Sequence, residues 1–202
     1  EKNIKHISFD FWRTICFSNP VFKEKRSQLI KGFTNKTSKQ IDDTFFTIGK
    51  KYNFEMEKNN MIISARDLNK LAFDCLGVPP KKQDEIFEEI SLNFKIYPPI
   101  INPNFKKLLF ILSKKDLTYS ITSNTAFISG LTIKEFIDKS ELEGVFKFSL
   151  FSDLIHCAKP HFPIYQEVLY CLGENIKKTN VLHVGDNKLS DYKGSCDYGF
   201  FG

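Results

Sequence analysis

The sequence predicts an α/β fold, a Rossmann-like parallel sheet core interrupted after its first strand by an all-helical insertion. Three observations carry that reading. Short apolar runs end repeatedly in polar clusters, as strands feeding loops do. Residues 16–97 show helical spacing and no convincing strand. After Pro98-Pro99, strand-like and helix-like segments alternate, a pattern that right-handed crossovers turn into a parallel sheet covered on both faces.

Taken in order, Ile4 to Phe9 alternates between apolar and polar residues and stops at Asp10, a strand followed by a loop. In the insertion, Thr37 with Gln40 makes a capping box, and Ile41, Phe45, Ile48 and Tyr52 follow on one helical face. Ser64 with Asp67 signals the next start; Leu68, Leu71, Ala72 and Cys75 supply its apolar side and Gly77 its stop. Pro79-Pro80 opens a further helix lined by Ile86, Ile90 and Phe94. Phe22, Phe33, Phe45, Phe46 and Phe54 are expected to form the insertion's own core. Beyond the boundary, Asn102-Pro103 caps a helix reaching Ser113, and Leu117 to Thr122 reads as a strand. Leu131 to Asp138 is helical, Phe146 to Phe151 extended, and Phe162 to Leu172 helical with Gly173 as its stop. Val181 to Val184 is a short buried strand. A helix from Leu189 to Cys196 leads to Phe200-Phe201, where a further strand is expected to begin.

Composition narrows function. The 202 residues are 42% hydrophobic and 26% charged, ordinary values that fit one domain carrying a smaller insertion. No uninterrupted apolar run exceeds five residues, against the ~20 that cross a bilayer. Polar residues interrupt the apolar ones from the start, unlike a secretory signal. No membrane partner is expected, and the expected location is the cytoplasm. The net charge of +5 comes with 26 lysines and only 3 arginines. The lysine doublets lie far apart among acids, so they read as a solvated surface. A nucleic-acid partner, for which the planar arginine fork is favoured, is not expected. Five cysteines without a C-x-x-C pair or zinc-like spacing read as reduced thiols. Nothing in the sequence fixes an oligomeric state.

In open parallel sheets, ligands bind beyond the carboxyl ends of the strands. Four such ends are polar here: Asp10 to Thr14, Ser123-Asn124, Ala158-Lys159-Pro160 and Gly185-Asp186 through Asp191. Singly, each fits a helix cap, a turn or a surface loop. Together they supply three carboxylates, a hydroxyl and an ammonium around one crevice, the inventory for moving a phosphoryl group on a magnesium ion.

Their order and spacing resemble the haloacid dehalogenase-like (HAD) superfamily, most of whose members are phosphohydrolases. The family pattern is a strand ending in D-x-D-x-T, a strand ending in Ser or Thr, a Lys, then a strand ending in G-D-x(3–4)-D. The resemblance covers the chain outside the insertion, which falls where family members carry a helical cap. It implies a core of residues 1–15 and 98–202 with a cap of 16–97. It also implies Asp10 as a nucleophile forming an aspartyl-phosphate, Lys159 neutralising the charge that builds up between Asp10 and the phosphate, and Ser123 with the adjacent main-chain N–H groups, Asn124 among them, holding phosphoryl oxygens. Mg²⁺ is then held by Asp10, by the main-chain carbonyl of Trp12 and by Asp186, with Asp191 orienting a metal-bound water. Thr14 is expected to fix the loop, His183 to be a sheet residue, and His161 to start a helix.

One departure matters. The family's second aspartate, its general acid, is Trp12 here, and the glycine that usually follows is Arg13, expected either to pair with an acid or to reach a substrate anion. An indole neither donates an acidic proton nor accepts one. General acid–base assistance is worth about 10²–10⁴-fold, roughly 3–5 kcal/mol of barrier for a poor leaving group. The leading expectation is therefore a Mg²⁺-dependent phosphohydrolase for a small phosphorylated substrate, slow or limited to good leaving groups. Two alternatives stay open. The 2-haloacid dehalogenases carry an aromatic at the same place, but work without Mg²⁺ and lack the carboxylates that Asp186 and Asp191 retain. A HAD-fold protein that binds a phosphorylated ligand or a partner and has lost catalysis is the other.

Overall fold

A computed structural model of the protein describes residues 3–202. Its main sheet is four-stranded and parallel, built from β1 (His6–Phe9), β4 (Thr118–Ser123), β5 (Phe148–Phe151) and β6 (Val181–Val184) in the order β5-β4-β1-β6. β1 lies between β4 and β6, with Phe9 in register with Ile121 on one side and Val184 on the other. All carboxyl ends therefore point the same way, and the chain leaves β1 at Asp10 in the middle of that edge.

The two faces of β1 differ. Ile7 and Phe9 enter an apolar core with Phe11, Phe105, Ile121 and Ile133. His6 and Ser8 face the other way into a buried polar ladder. His6 meets Thr118 Oγ1 at 2.7 Å and Ser120 Oγ at 2.8 Å, and Ser8 Oγ donates to Thr122 Oγ1 at 2.8 Å. Such groups are tolerated in a core only when paired like this.

Between β1 and β4 come β2 (Cys16–Phe17), α1 (Pro20–Lys31), α2 (Ser38–Asn59), α3 (Ala65–Leu76), α4 (Pro80–Ile96), β3 (Ile100–Ile101) and α5 (Pro103–Leu112). The Thr37–Gln40 capping box is formed in both directions, and Asn102 caps α5 by accepting from Asn104 N–H. Helices α1–α4 bury Phe22, Ile30, Phe45, Phe73, Ile86 and Phe94 against one another. The segment read as helical from residue 16 begins differently: Cys16–Phe17 pairs antiparallel with Ile100–Ile101, a small ribbon joining the two ends of the insertion. Two apolar assignments also shift. Phe46 and Phe54 are exposed, and α3 buries Leu68, Ala72, Phe73 and Leu76 while Leu71 and Cys75 face solvent.

The remaining elements are α6 (Gly130–Asp138), α7 (Ser152–Ile155), α8 (Phe162–Leu172), a tight helical turn (Lys178–Asn180), a wide one (Lys188–Lys193) and α9 (Gly194–Tyr198). Phe201 then runs parallel to β6, bridging to Leu182. Among the described residues, no helix is long and apolar enough to cross a membrane. All five cysteines are free thiols.

Candidate active site

The loops at the carboxyl edge of the sheet meet over a buried ion cluster. Lys159, only 1% exposed, donates from Nζ to Asp10 Oδ1 at 2.8 Å and to Asp191 Oδ1 at 2.5 Å. Burial alone would lower the ammonium pKa, but the two carboxylates outweigh it and raise the value above normal. The acids respond oppositely. Burial pushes Asp10 up to about 6, with Asp191 adding to the rise and Lys159 opposing it. Burial acts upward on Asp191 too, yet Lys159 and His183 hold it well below the usual carboxylate range. Two carboxylates share one cation, and Asp191 is the better served.

His183 explains part of that asymmetry. Burial and the charge of Lys159 lower its pKa to about 4, so the ring is neutral near pH 7. Its Nε2, 3.1 Å from Asp191 Oδ1, must carry the proton because a carboxylate can only accept. Asp191 Oδ2 accepts the main-chain N–H of Asn187 at 2.9 Å. A Cβ on Gly185 would lie 2.1 Å from Asp191 Cγ, so only glycine lets this carboxylate tuck beneath its own loop.

Ser123, at the end of β4, donates from Oγ to Asp10 Oδ1 at 2.9 Å. With Lys159 on the same oxygen, Asp10 Oδ2 is left without a side-chain donor among the described residues. At Asn124, whose main-chain N–H is the group expected to hold a phosphoryl oxygen, the side-chain amide is engaged with the Lys159 main chain. Nδ2 donates to the carbonyl at 2.9 Å, and Oδ1 accepts the N–H at 2.8 Å. This side chain fixes where the Lys159 side chain starts.

Oxygens of Asp10, Asp186 and Asp191 lie within 4.8 Å of one another. In the turn after β1, Ile15 and Cys16 donate to the Phe11 carbonyl and Arg13 to the Cys16 carbonyl. The Trp12 carbonyl is left unengaged among the described residues. Two adjacent carboxylates and a spare carbonyl suit a hard, oxygen-seeking ion such as Mg²⁺. Asp191, with both oxygens occupied, stands behind Lys159 in this arrangement.

Residues 12 and 13 are accounted for individually. The Trp12 ring packs between core and insertion, edge-on to Phe11 at 5.0 Å and to Phe94 at 6.4 Å. Arg13 adopts a left-handed backbone, φ 64°, where glycine is the easier residue. Its Nη1 lies 3.2 Å from Asp186 Oδ2, so the arginine pairs with an acid. Thr14 does not fix the loop through its hydroxyl, which is buried without a partner; its carbonyl accepts from Asn102 Nδ2 at 3.1 Å.

Above the cluster is a cavity of about 360 Å³ with Asp10, Asp186 and Lys159 on its floor and Trp12, Phe94 and Tyr97 along its side. The cap adds a residue that sequence patterning does not single out. Glu57, near the end of α2, accepts a hydrogen bond from Asn187 Nδ2 at 2.7 Å across the crevice. His161 sits at the start of α8, as expected, and its Nε2 lies 3.2 Å from the Met56 carbonyl.

The fold recurs in solved structures. The HAD-hydrolase YfnB from Bacillus subtilis, solved with magnesium bound, superposes with a TM-score of 0.77 at 16% identity, over 98% of this chain and 87% of that one. A Thermotoga maritima protein assigned as a beta-phosphoglucomutase gives 0.71 at 18% identity, covering 98% and 82%. A 2-haloacid dehalogenase from Pseudomonas syringae gives 0.65 at 18% identity, covering 98% and 84%. Comparison with curated proteins yields no sequence relative. The family model described as haloacid dehalogenase-like hydrolase matches residues 7–200, nearly the whole length, and this chain belongs to that family.

Proposed function

We propose that the protein is a Mg²⁺-dependent phosphohydrolase that works through an aspartyl-phosphate on Asp10 and acts on a small phosphorylated metabolite. The observation that carries this reading is the closeness of Asp10 and Asp186, whose carboxylates can share an ion. Asp10, the Trp12 carbonyl and Asp186 would hold Mg²⁺, which neutralises charge on a transferring phosphoryl group. A dehalogenase leaving a halide has no use for that second carboxylate.

The chain's own groups divide the remaining work. Ser123 and Lys159 fasten one oxygen of Asp10 and leave the other to attack phosphorus. The Asp10 Oδ–P bond forms as the P–O bond to the leaving group breaks. Lys159 offsets the negative charge gathered there, and Asp191 with His183 keeps its ammonium in place. Water then attacks the aspartyl-phosphate, releasing phosphate and restoring Asp10. Trp12 offers the departing oxygen no proton, so residue 12 favours acyl or aryl phosphates, whose leaving groups need none.

The test is turnover of 4-nitrophenyl phosphate with and without Mg²⁺, alongside Asp10→Asn. Removing the nucleophile is expected to lower kcat by at least ~10⁴-fold, and chelation to abolish turnover. Turnover indifferent to both, or halide release from a 2-haloacid without metal, rejects the proposal.

A further inference from the structure

We infer that Glu57, presented by the cap, is the proton donor for the leaving group, taking the place that Trp12 has vacated. The inference rests on the phosphohydrolase reading and extends it to alkyl phosphates.

Three observations support it. First, the other acids around the cavity are committed. Asp10 is the nucleophile, Asp186 pairs with Arg13, and Asp191 is bonded through both oxygens. Glu57 lines the same cavity as Asp10 and is half-buried. Second, it is held in place. The end of α2 is fastened to the core on both sides of Glu57, by His161 at the Met56 carbonyl and by Asn60 Oδ1, which accepts from Ala158 N–H at 2.9 Å. Asn187 orients the carboxyl group itself. Its Oδ1 caps the following turn by accepting from Leu189 and Ser190 N–H, so Nδ2 is the end that faces Glu57 Oε1. Oε2 remains to carry a proton. Third, the surroundings favour the protonated form: burial raises the pKa of Glu57, and Asp191 adds to the rise, against opposing contributions from Asn187, Ser190 and Lys159.

In the first half-reaction the P–O electron pair stays on the leaving oxygen, which takes the proton from Glu57 Oε2 as the Asp10 Oδ–P bond forms. Glu57 is then a carboxylate. In the second half it accepts a proton from the attacking water, whose oxygen bonds to phosphorus while the Asp10 Oδ–P pair returns to Asp10. Phosphate leaves and Glu57 is again protonated.

Leaving-group dependence tests this. For 2-phenylethyl phosphate, Glu57→Gln is expected to lower kcat/KM by about 10²–10⁴-fold and to remove the alkaline limb of its pH profile. For 4-nitrophenyl phosphate, whose phenolate departs unassisted, kcat/KM should change by less than about threefold, while kcat falls with the slowed hydrolysis of the intermediate. Glu57→Asp should recover part of the alkyl-ester rate. A residue that merely latches the cap would move kcat/KM for both esters alike. That result, no change for either ester, or a wild type inert toward the alkyl ester, overturns the assignment. A wild type with no Asp10-dependent turnover of the aryl ester instead rejects the phosphohydrolase reading beneath it.

Discussion

The buried ion cluster and the exposed ion pair both draw on the loops leaving β1 and β6, adjacent strands that frame the same cavity, yet the two hold their charges differently. After β6, Asp191 is 3% exposed and takes hydrogen bonds from Lys159, His183 and the Asn187 main chain. In the exposed pair, Arg13 after β1 is strained in its backbone and joined to Asp186 after β6 by a single contact at the surface. A buried cluster with every partner in place has one low-energy arrangement, because losing any bond strands a charge away from water. An exposed pair has water as its alternative, and exposed pairs contribute little. The difference separates machinery that must not move from side chains free to rearrange when a ligand enters.

Removing the cation from the buried side is the severest way to probe this contrast. Lys159→Met keeps most of the volume but leaves Asp10 and Asp191 facing each other, and should cost about 3–5 kcal/mol in urea unfolding at pH 7. An unchanged midpoint would show that the carboxylates are not held together as ions. Next is pH. His183 titrates near 4 in the fold against 6.5 in the free side chain, so the unfolded chain binds its proton first as pH falls. Its stabilising contribution is whole above pH 6.5 and is lost on descent towards 4, about 3 kcal/mol in all. Wild type should lose that much more than His183→Gln between pH 7 and pH 4; parallel stability curves would refute a neutral buried ring. The exposed side gives the smallest effect. Arg13→Gly releases Asp186, and calorimetric Mg²⁺ affinity should tighten by no more than about fivefold, the measure of one exposed ion pair. A much larger gain would mean that Arg13 blocks the ion site outright.

Much of this was legible before any coordinates. The strand-end clusters at Asp10, Ser123 and Asp186 converge because a parallel sheet brings every carboxyl end to one edge, a consequence of topology that the order of segments already implies. Lys159, expected at a strand end as well, instead joins them from beyond α7, the short helix that follows β5. Local capping is equally readable, as at Thr37 and Asn102, since its partners lie within a few residues. What the sequence hides is set by distant partners. In α3 two overlapping apolar stripes compete, and the packed helices select the one through Phe73 and Leu76. Pairing of Cys16–Phe17 with Ile100–Ile101 involves strands too short to carry a period. Glu57 gains meaning only from the way the end of α2 docks beside Asn187, and His183 only from its register with Ser8 across the sheet.

The ribbon of β2 and β3 has a wider consequence. Cys16 faces Ile101 and Phe17 faces Ile100, so the polypeptide departs from the core and returns to it at neighbouring points. A tight turn joining Phe17 to Ile100 would close the same hairpin without altering the path of either flanking segment. The intervening helices are thus spliced in like an interchangeable cassette. A shorter, longer or unrelated module could be inserted at this junction, giving the same cavity floor a different ceiling.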